Sequence, residues 1–368
     1  MRVGVLHGGG PCPGANAAIE GAVQRADEDN VEVLGIPHGC KGLQKIQVFQ
    51  TVRRILGKTQ IHTLHFRAGC IIGTSRDSPA RNQGTFDQQK WEVKKIQIRE
   101  NLAQNRIHAL LLIGGDDTLA TTKIFVEEDI IHANHIPKTI DGDLTIPSFG
   151  LTTAASRAKQ YVEEMRRGEA ENYGRILVIE SQGRHAGWLT REHQLEVLDG
   201  ADHPESADGI LLPEFEIPKD AIIAHAQQTL RTKGHGVLVV SEGFRINGEE
   251  TFITDHVDDH GHRRLGHVSF KITAWLRSAG IDAAEQAPRH FYRSGPPTKE
   301  DADLAYAMGY AAMDSLVKGQ YGIAPDATEF LASQGKNPIV LKSVHDIGGG
   351  NLVPAHLYDP KNLRRKDA

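Results

Sequence analysis

The chain has 368 residues, 39 % hydrophobic and 24 % charged, the make-up of an ordinary water-soluble protein with room for two domains and a sizeable core. Its 42 basic and 47 acidic residues leave a formal charge of −5, so no global positive field argues for nucleic acid or a membrane surface. Cys12, Cys40 and Cys70 form no C-x-x-C pair, no secretory leader precedes the first strand, and no apolar run reaches the roughly 18 residues of a membrane span, so the expectation is a reduced, cytoplasmic setting.

In chain order, residues 2–7 (R-V-G-V-L-H) predict a buried strand. It breaks into Gly8-Gly9-Gly10-Pro11 before a helix over 16–27, with apolar residues at 18, 19, 22, 23 and 26. A glycine-rich turn before a helix start favours an anion through free amides and the helix dipole, although this one is neither G-x-G-x-x-G nor a G-K-[ST] loop. Residues 31–36 predict a second strand. Residues 69–76 (G-C-I-I-G-T-S-R) form a loop whose tip, Arg76, suits a phosphoryl group. Residues 87–104 alternate charged and apolar positions at helical spacing and predict a solvent-facing helix.

The central stretch is 107–143. Residues 107–113 (I-H-A-L-L-L-I) are short, apolar and bounded by glycine, which predicts a buried strand of a parallel sheet. Gly114-Gly115-Asp116-Asp117-Thr118 follows, then a helix over 118–128, then Pro137-Lys138-Thr139-Ile140-Asp141-Gly142-Asp143. Loops at the carboxyl ends of such strands are where open α/β sheets bind ligands. Four carboxylates and one lysine in two such loops point to a polyphosphate with its divalent metal, because a cation between the carboxylates reverses the sign of the site. Asp141 and Asp143 are two apart and face one side of an extended segment, which suits one base and one metal-linked or orienting carboxylate.

Beyond it, 152–167 predict a helix and 176–180 a strand that ends in Ser181-Gln182-Gly183-Arg184-His185. Arg175 and Arg184 stand at opposite ends of that strand, and nine extended residues span about 30 Å, so the two can hardly serve one small ligand of one molecule. If both bind substrate, one serves a neighbouring subunit. Strands follow over 208–212 and 236–240, the second ending in Ser241-Glu242-Gly243, with an amphipathic helix over 219–231. The polar, histidine-rich 246–264 lack zinc-ligand spacing and predict a solvated loop. A helix over 265–278, a basic strand-and-turn over 288–297 carrying His290 and Arg293, and a helix over 299–317 complete the pattern, with 345–368 as peripheral loop and tail.

Seven motifs in this order resemble those of the phosphofructokinase family: G-G-G-P-C-P-G-A-N-A-A-I, G-T-S-R, G-G-D-D-T, P-K-T-I-D-G-D, G-R-I-L-V-I-E-S-Q-G-R-H-A-G-W, S-E-G and H-F-Y-R-S-G. The resemblance implies an α/β protein of two Rossmann-like domains with mainly parallel sheets and an active site in the cleft between them. Residues 1–152 with about 293–340 would form the donor domain, 153–292 the sugar-phosphate domain, and 341–368 a peripheral segment. Asp141 then falls at the family's general base, with Asp143 beside it, and Asp116 at the Mg²⁺-linked acid. Thr139, Gln182, Gly183, Arg184, Glu242, His290 and Arg293 fall at substrate positions, and Arg175 at the one lent by a neighbouring subunit of a homodimer or homotetramer. Gly10, Arg76, Gly115, Asp117 and Lys138 fall in the donor site.

The same resemblance implies pyrophosphate as donor and fructose 6-phosphate as acceptor. ATP-using relatives typically carry glycine at the positions of both Asp117 and Lys138. A structural Asp117–Lys138 salt bridge across the two loops is the plain alternative, and it too would occupy nucleotide space. The chain departs from the family pattern in Gly142 (usually Asn), Gln182 (usually Met), Pro288-Arg289 (usually Leu-Gly) and Ala284 (usually Arg). These departures keep open another ketose phosphate such as sedoheptulose 7-phosphate, an ATP-dependent enzyme, or a non-catalytic sugar-phosphate-binding subunit. A lipid or NAD kinase would lack the P-K-T-I-D-x-D and H-x-x-R elements.

Overall fold

The computed structural model describes residues 1–83, 85–194, 206–258 and 260–366. Two sheets organise it. The first runs Gln50–Thr51, Glu32–Gly35, Arg2–His7, Ala109–Gly114, His132–Thr139, Phe149–Gly150, and every pairing is parallel except that of Gln50–Thr51. The second runs Gly209–Leu211, Gly236–Ser241, Ile176–Ser181, Ala283–Gln286, parallel throughout. Strand Ala109–Gly114 is buried on both faces, as its unbroken apolar run requires.

Helices cover both sheets. Ala15–Glu28 and Lys299–Val317 pack so closely that a Cβ on Gly21 would sit 2.1 Å from the Tyr306 carbonyl oxygen, and one on Gly309 2.0 Å from that of Ala18. Buried Asp301, from the second of these helices, accepts hydrogen bonds from the amides of Gly150 (2.8 Å) and Thr153 (2.6 Å) at the start of helix Leu151–Met165. It supplies the acceptor that this helix lacks locally. Among the described residues no helix is long and apolar enough to cross a membrane.

Three segments differ from expectation. Residues 246–264 are not a solvated loop: Phe252–Val257 pairs antiparallel with Arg263–Leu265, and His260 is buried (residue 259 lies outside the described residues). Over 288–297 there is a 3₁₀ turn, Arg289–Arg293, and no strand; the strand lies earlier, at Ala283–Gln286. Its A-A-E-Q sequence has little strand propensity, and pairing beside Ile176–Ile179 overrides that. Finally, 345–366 is not peripheral. Val344 and Ile347 pack with Leu144 and Ile146, whereas Val353, Tyr358 and Leu363 are buried in the core of the second sheet. Between those anchors, Asn351 donates from its side-chain amide to the Gly142 carbonyl (2.8 Å) and from its backbone to that of Asp143 (3.0 Å).

Candidate active site

The carboxyl ends of both sheets face one hollow. Its lining includes Gly9, Gly10, Arg76, Gly115, Asp116, Asp117, Lys138, Thr139, Asp141 and Asp143 from the side of the first sheet, and Arg184, Glu242 and Arg293 from the other. A wider hollow of about 710 Å³ adjoins it and adds Gln182 and His290, with Arg263, Arg264 and Arg289. Gly183 lines neither. It makes the turn beneath Arg184, with φ 135°, and its carbonyl accepts from the Ser241 hydroxyl (2.5 Å). Arg175 stands apart, paired with Glu169 (3.2 Å) and stacked 4.1 Å over the Tyr173 ring.

Each loop places its charge by local bonding. The Thr139 hydroxyl donates to Asp143 Oδ1 (2.8 Å) and accepts from the Asp141 amide (3.0 Å), so one side chain fixes both acids. Gly142 takes φ 69°, and a Cβ there would lie 3.1 Å from both Leu151 and Trp188, which leaves no room for the family's asparagine without movement. Asp116 opens helix Asp116–Glu127 and accepts the Asp117 amide (2.8 Å). At Gly10 a Cβ would meet the guanidinium groups of Arg293 (3.1 Å) and Arg76 (3.4 Å), so glycine lets two cations close on the backbone. Arg293 reaches within 3.9 Å of Asp141 Oδ1.

The electrostatics are those of a site short of counter-charge. Burial, then the charges of Asp141 and Asp116, pushes Asp143 up to about 6. Burial and then neighbouring Asp117 raise Asp116. Burial, with Asp141 nearby, pushes Glu242 up to about 7 against the pull of Arg293 and Arg184. Lys138 is held below its ordinary range by burial, with Arg293 and Arg76 adding repulsion. Asp141 Oδ1 is buried and has no hydrogen-bond partner. Among the described residues no three His, Cys, Asp or Glu side chains close into a metal cage. Asp116, Asp141 and Asp143 all line the hollow and present hard carboxylate oxygens to it.

Asp117 and Lys138 do not pair with each other. The Lys138 ammonium donates to the Gly10 carbonyl (3.1 Å), whereas Asp117 lies between His260 (Nδ1 to Oδ1, 3.1 Å) and His262 (Nδ1 to Oδ2, 3.7 Å). Both histidines come from the hairpin, and sequence reasoning missed them along with His185, which also lines the hollow. The available signal was the charged turn D-D-H-G-H, which carries no metal spacing and only makes sense once its distant partner is known.

Residues 2–316 match the family described as Phosphofructokinase. The chain belongs to the phosphofructokinase family. Among phosphofructokinase relatives, the pyrophosphate–fructose 6-phosphate 1-phosphotransferase of Amycolatopsis methanolica is 32 % identical over 368 residues, covering 98 % of each chain. The ATP-dependent 6-phosphofructokinase 2 of Streptomyces coelicolor is 30 % identical over 335 residues, 88 % of this chain and 89 % of that one. The crystal structure of a pyrophosphate-dependent phosphofructokinase from Nitrosospira multiformis superposes with a TM-score of 0.79 at 19 % identity, over 99 % of this chain and 89 % of that one, and it shares the fold.

Proposed function

We propose that the protein transfers a phosphoryl group from pyrophosphate to the 1-hydroxyl of fructose 6-phosphate, giving fructose 1,6-bisphosphate and phosphate, reversibly. Asp141 takes the hydroxyl proton as the sugar oxygen bonds to phosphorus and the bridging P–O bond breaks. Arg76 and the Gly10 amide hold the transferred phosphoryl, and Lys138 receives the leaving phosphate as a point cation. Arg184, Glu242, His290 and Arg293 hold the sugar phosphate. The crowding of Asp116, Asp141 and Asp143 fits a divalent cation such as Mg²⁺, which with Asp116 as protein ligand would neutralise charge on the donor oxygens. Positioning and charge neutralisation supply most of the catalysis in such transfers.

One observation carries the choice of donor: Asp117 and Lys138 both project into the donor end of the hollow, each fixed by its own partner. A carboxylate about 4 Å from a nucleotide's α-phosphate costs about 1 to 4 kcal/mol between water and surface dielectrics, whereas pyrophosphate has no third phosphate to meet it. The relatives named for pyrophosphate support the same reading. Residues 1–152 with about 293–340 would form the donor half and 153–292 the sugar-phosphate half. Arg175, remote from the hollow, would reach the sugar phosphate of a neighbouring subunit in a homodimer or homotetramer.

A single-turnover assay with labelled pyrophosphate, Mg²⁺ and fructose 6-phosphate tests the proposal. Label appearing in fructose 1,6-bisphosphate supports it. Binding of both substrates without transfer would make the protein a sugar-phosphate sensor instead.

A further inference from the structure

Hairpin Phe252–Val257/Arg263–Leu265 borders the wider hollow and delivers its tip to the donor end. The tip is shaped by its own bonds. Asp258 Oδ1 accepts the amides of both His260 (3.0 Å) and His262 (2.9 Å), so the backbone that carries the two rings is held by the turn itself. The rings lie nearly parallel, with centroids 6.4 Å apart and planes 26° from each other. The His260 side chain is 6 % exposed and the Asp117 carboxylate 26 % exposed, so the contact is shielded from water on the histidine side. The His260 Nδ1 and Asp117 Oδ1 atoms lie 3.1 Å apart, a close polar contact.

Asp117 is in the first turn of helix Asp116–Glu127, where His260 and His262 are the only basic side chains within 4 Å of its carboxylate among the described residues. An aspartate in a helix's first turn still has more than one staggered rotamer open to it. Its carboxylate obstructs a nucleotide only while it points into the hollow. The flanking imidazoles supply the restraint from the opposite wall.

We propose that His260 and His262 are positioning residues that set donor selectivity, by holding the Asp117 carboxylate in the path that a third donor phosphate would take. The hairpin is thereby part of the donor site, although it belongs to the half of the chain that carries the sugar-phosphate residues. This rests on the pyrophosphate reading given above.

The test compares wild type with His260→Ala, His262→Ala, His260→Gln, Asp117→Gly and the His260→Ala/Asp117→Gly double variant. The donors are pyrophosphate, ATP and inorganic tripolyphosphate; the last adds a third phosphate without a nucleoside. For each, kcat/KM is measured with Mg²⁺ and saturating fructose 6-phosphate. His260→Ala should shift selectivity about two- to fivefold towards tripolyphosphate and ATP, the size of one partly shielded polar contact. His262→Ala, at a half-buried ring on the longer contact, should give a smaller shift of the same sign. The KM for fructose 6-phosphate should move less than twofold in His260→Ala, and His260→Gln, whose amide can still donate, should recover part of the selectivity. In the Asp117→Gly background His260→Ala should change nothing further, because the two act as one unit. Unchanged selectivity in both alanine variants overturns the proposal, as does an equal histidine effect with and without Asp117. If His260→Ala fails to fold, His262→Ala decides by the same readout. A wild type that prefers ATP would instead overturn the donor assignment itself, which is a separate result.

Discussion

Replacing Lys138 by methionine should weaken the donor site and leave the fold as stable as before, or more so. Lys138 is 3 % exposed, among the described residues its ammonium has only the Gly10 carbonyl (3.1 Å) as a hydrogen-bond acceptor, and Arg293 and Arg76 repel it. Without a donor anion it is a buried cation with poor compensation. Swapping a buried, poorly compensated charge for an apolar side chain of similar volume removes its desolvation cost, less about 1 kcal/mol for the lost hydrogen bond. With pyrophosphate bound the sign reverses: a charge-assisted contact contributes about 1.5 to 3 kcal/mol, so its loss should weaken donor binding roughly 10- to 150-fold. Equilibrium urea unfolding of the ligand-free protein measures the first quantity, and titration calorimetry with pyrophosphate and Mg²⁺ the second. A variant that unfolds at clearly lower urea while binding pyrophosphate within twofold of wild type would refute the reasoning, since Lys138 would then be structural.

Three further outcomes follow from the same geometry. Asp141→Asn should lower kcat by several orders of magnitude, about 10²–10⁴-fold from the base and more from misplacement, with sugar-phosphate binding by calorimetry largely kept. Arg175→Ala should raise the KM for fructose 6-phosphate more than that for pyrophosphate, and sedimentation of the active enzyme should show a dimer or tetramer; an active monomer would contradict the cross-subunit role. Buried His193, bonded to the Leu189 carbonyl (2.9 Å) and the Tyr292 hydroxyl (3.1 Å), has its pKa pushed down to about 4 by burial. A depressed histidine contributes stability above its unfolded pKa of about 6.5 and loses it as pH falls towards the folded value, so between pH 6.5 and 5 wild type should lose about 2 kcal/mol that His193→Gln does not, by urea unfolding at each pH.

Much of the scaffold was legible because parallel strands buried on both faces leave unbroken apolar runs. Residues 107–113, 176–180 and 236–240 read as strands for that reason and form Ala109–Gly114, Ile176–Ser181 and Gly236–Ser241, and the loops that follow them line the hollow. The helix expected over 299–317 forms over Lys299–Val317, and Thr298 caps it, its hydroxyl accepting the Asp301 amide. The histidine hairpin was not, because its side chains are polar and their partner Asp117 belongs to a different sheet's loop. Nor was the C-terminal segment: Val353, Tyr358 and Leu363 are single apolar residues in a polar stretch with no period, yet each finds the core of the second sheet. Gly142 was visible as a departure from the family, but its cause was not. The crowding by Leu151 and Trp188 is tertiary, and Asn351 contacts the same loop from the far end of the chain.

The most direct test of the donor assignment is a pair of steady-state measurements on the wild-type enzyme, kcat/KM for pyrophosphate and for ATP, each with Mg²⁺ and saturating fructose 6-phosphate. The account predicts a value for pyrophosphate well above that for ATP, with product formed in both directions. An enzyme that uses ATP as well as or better than pyrophosphate would contradict it, however the active-site variants behave.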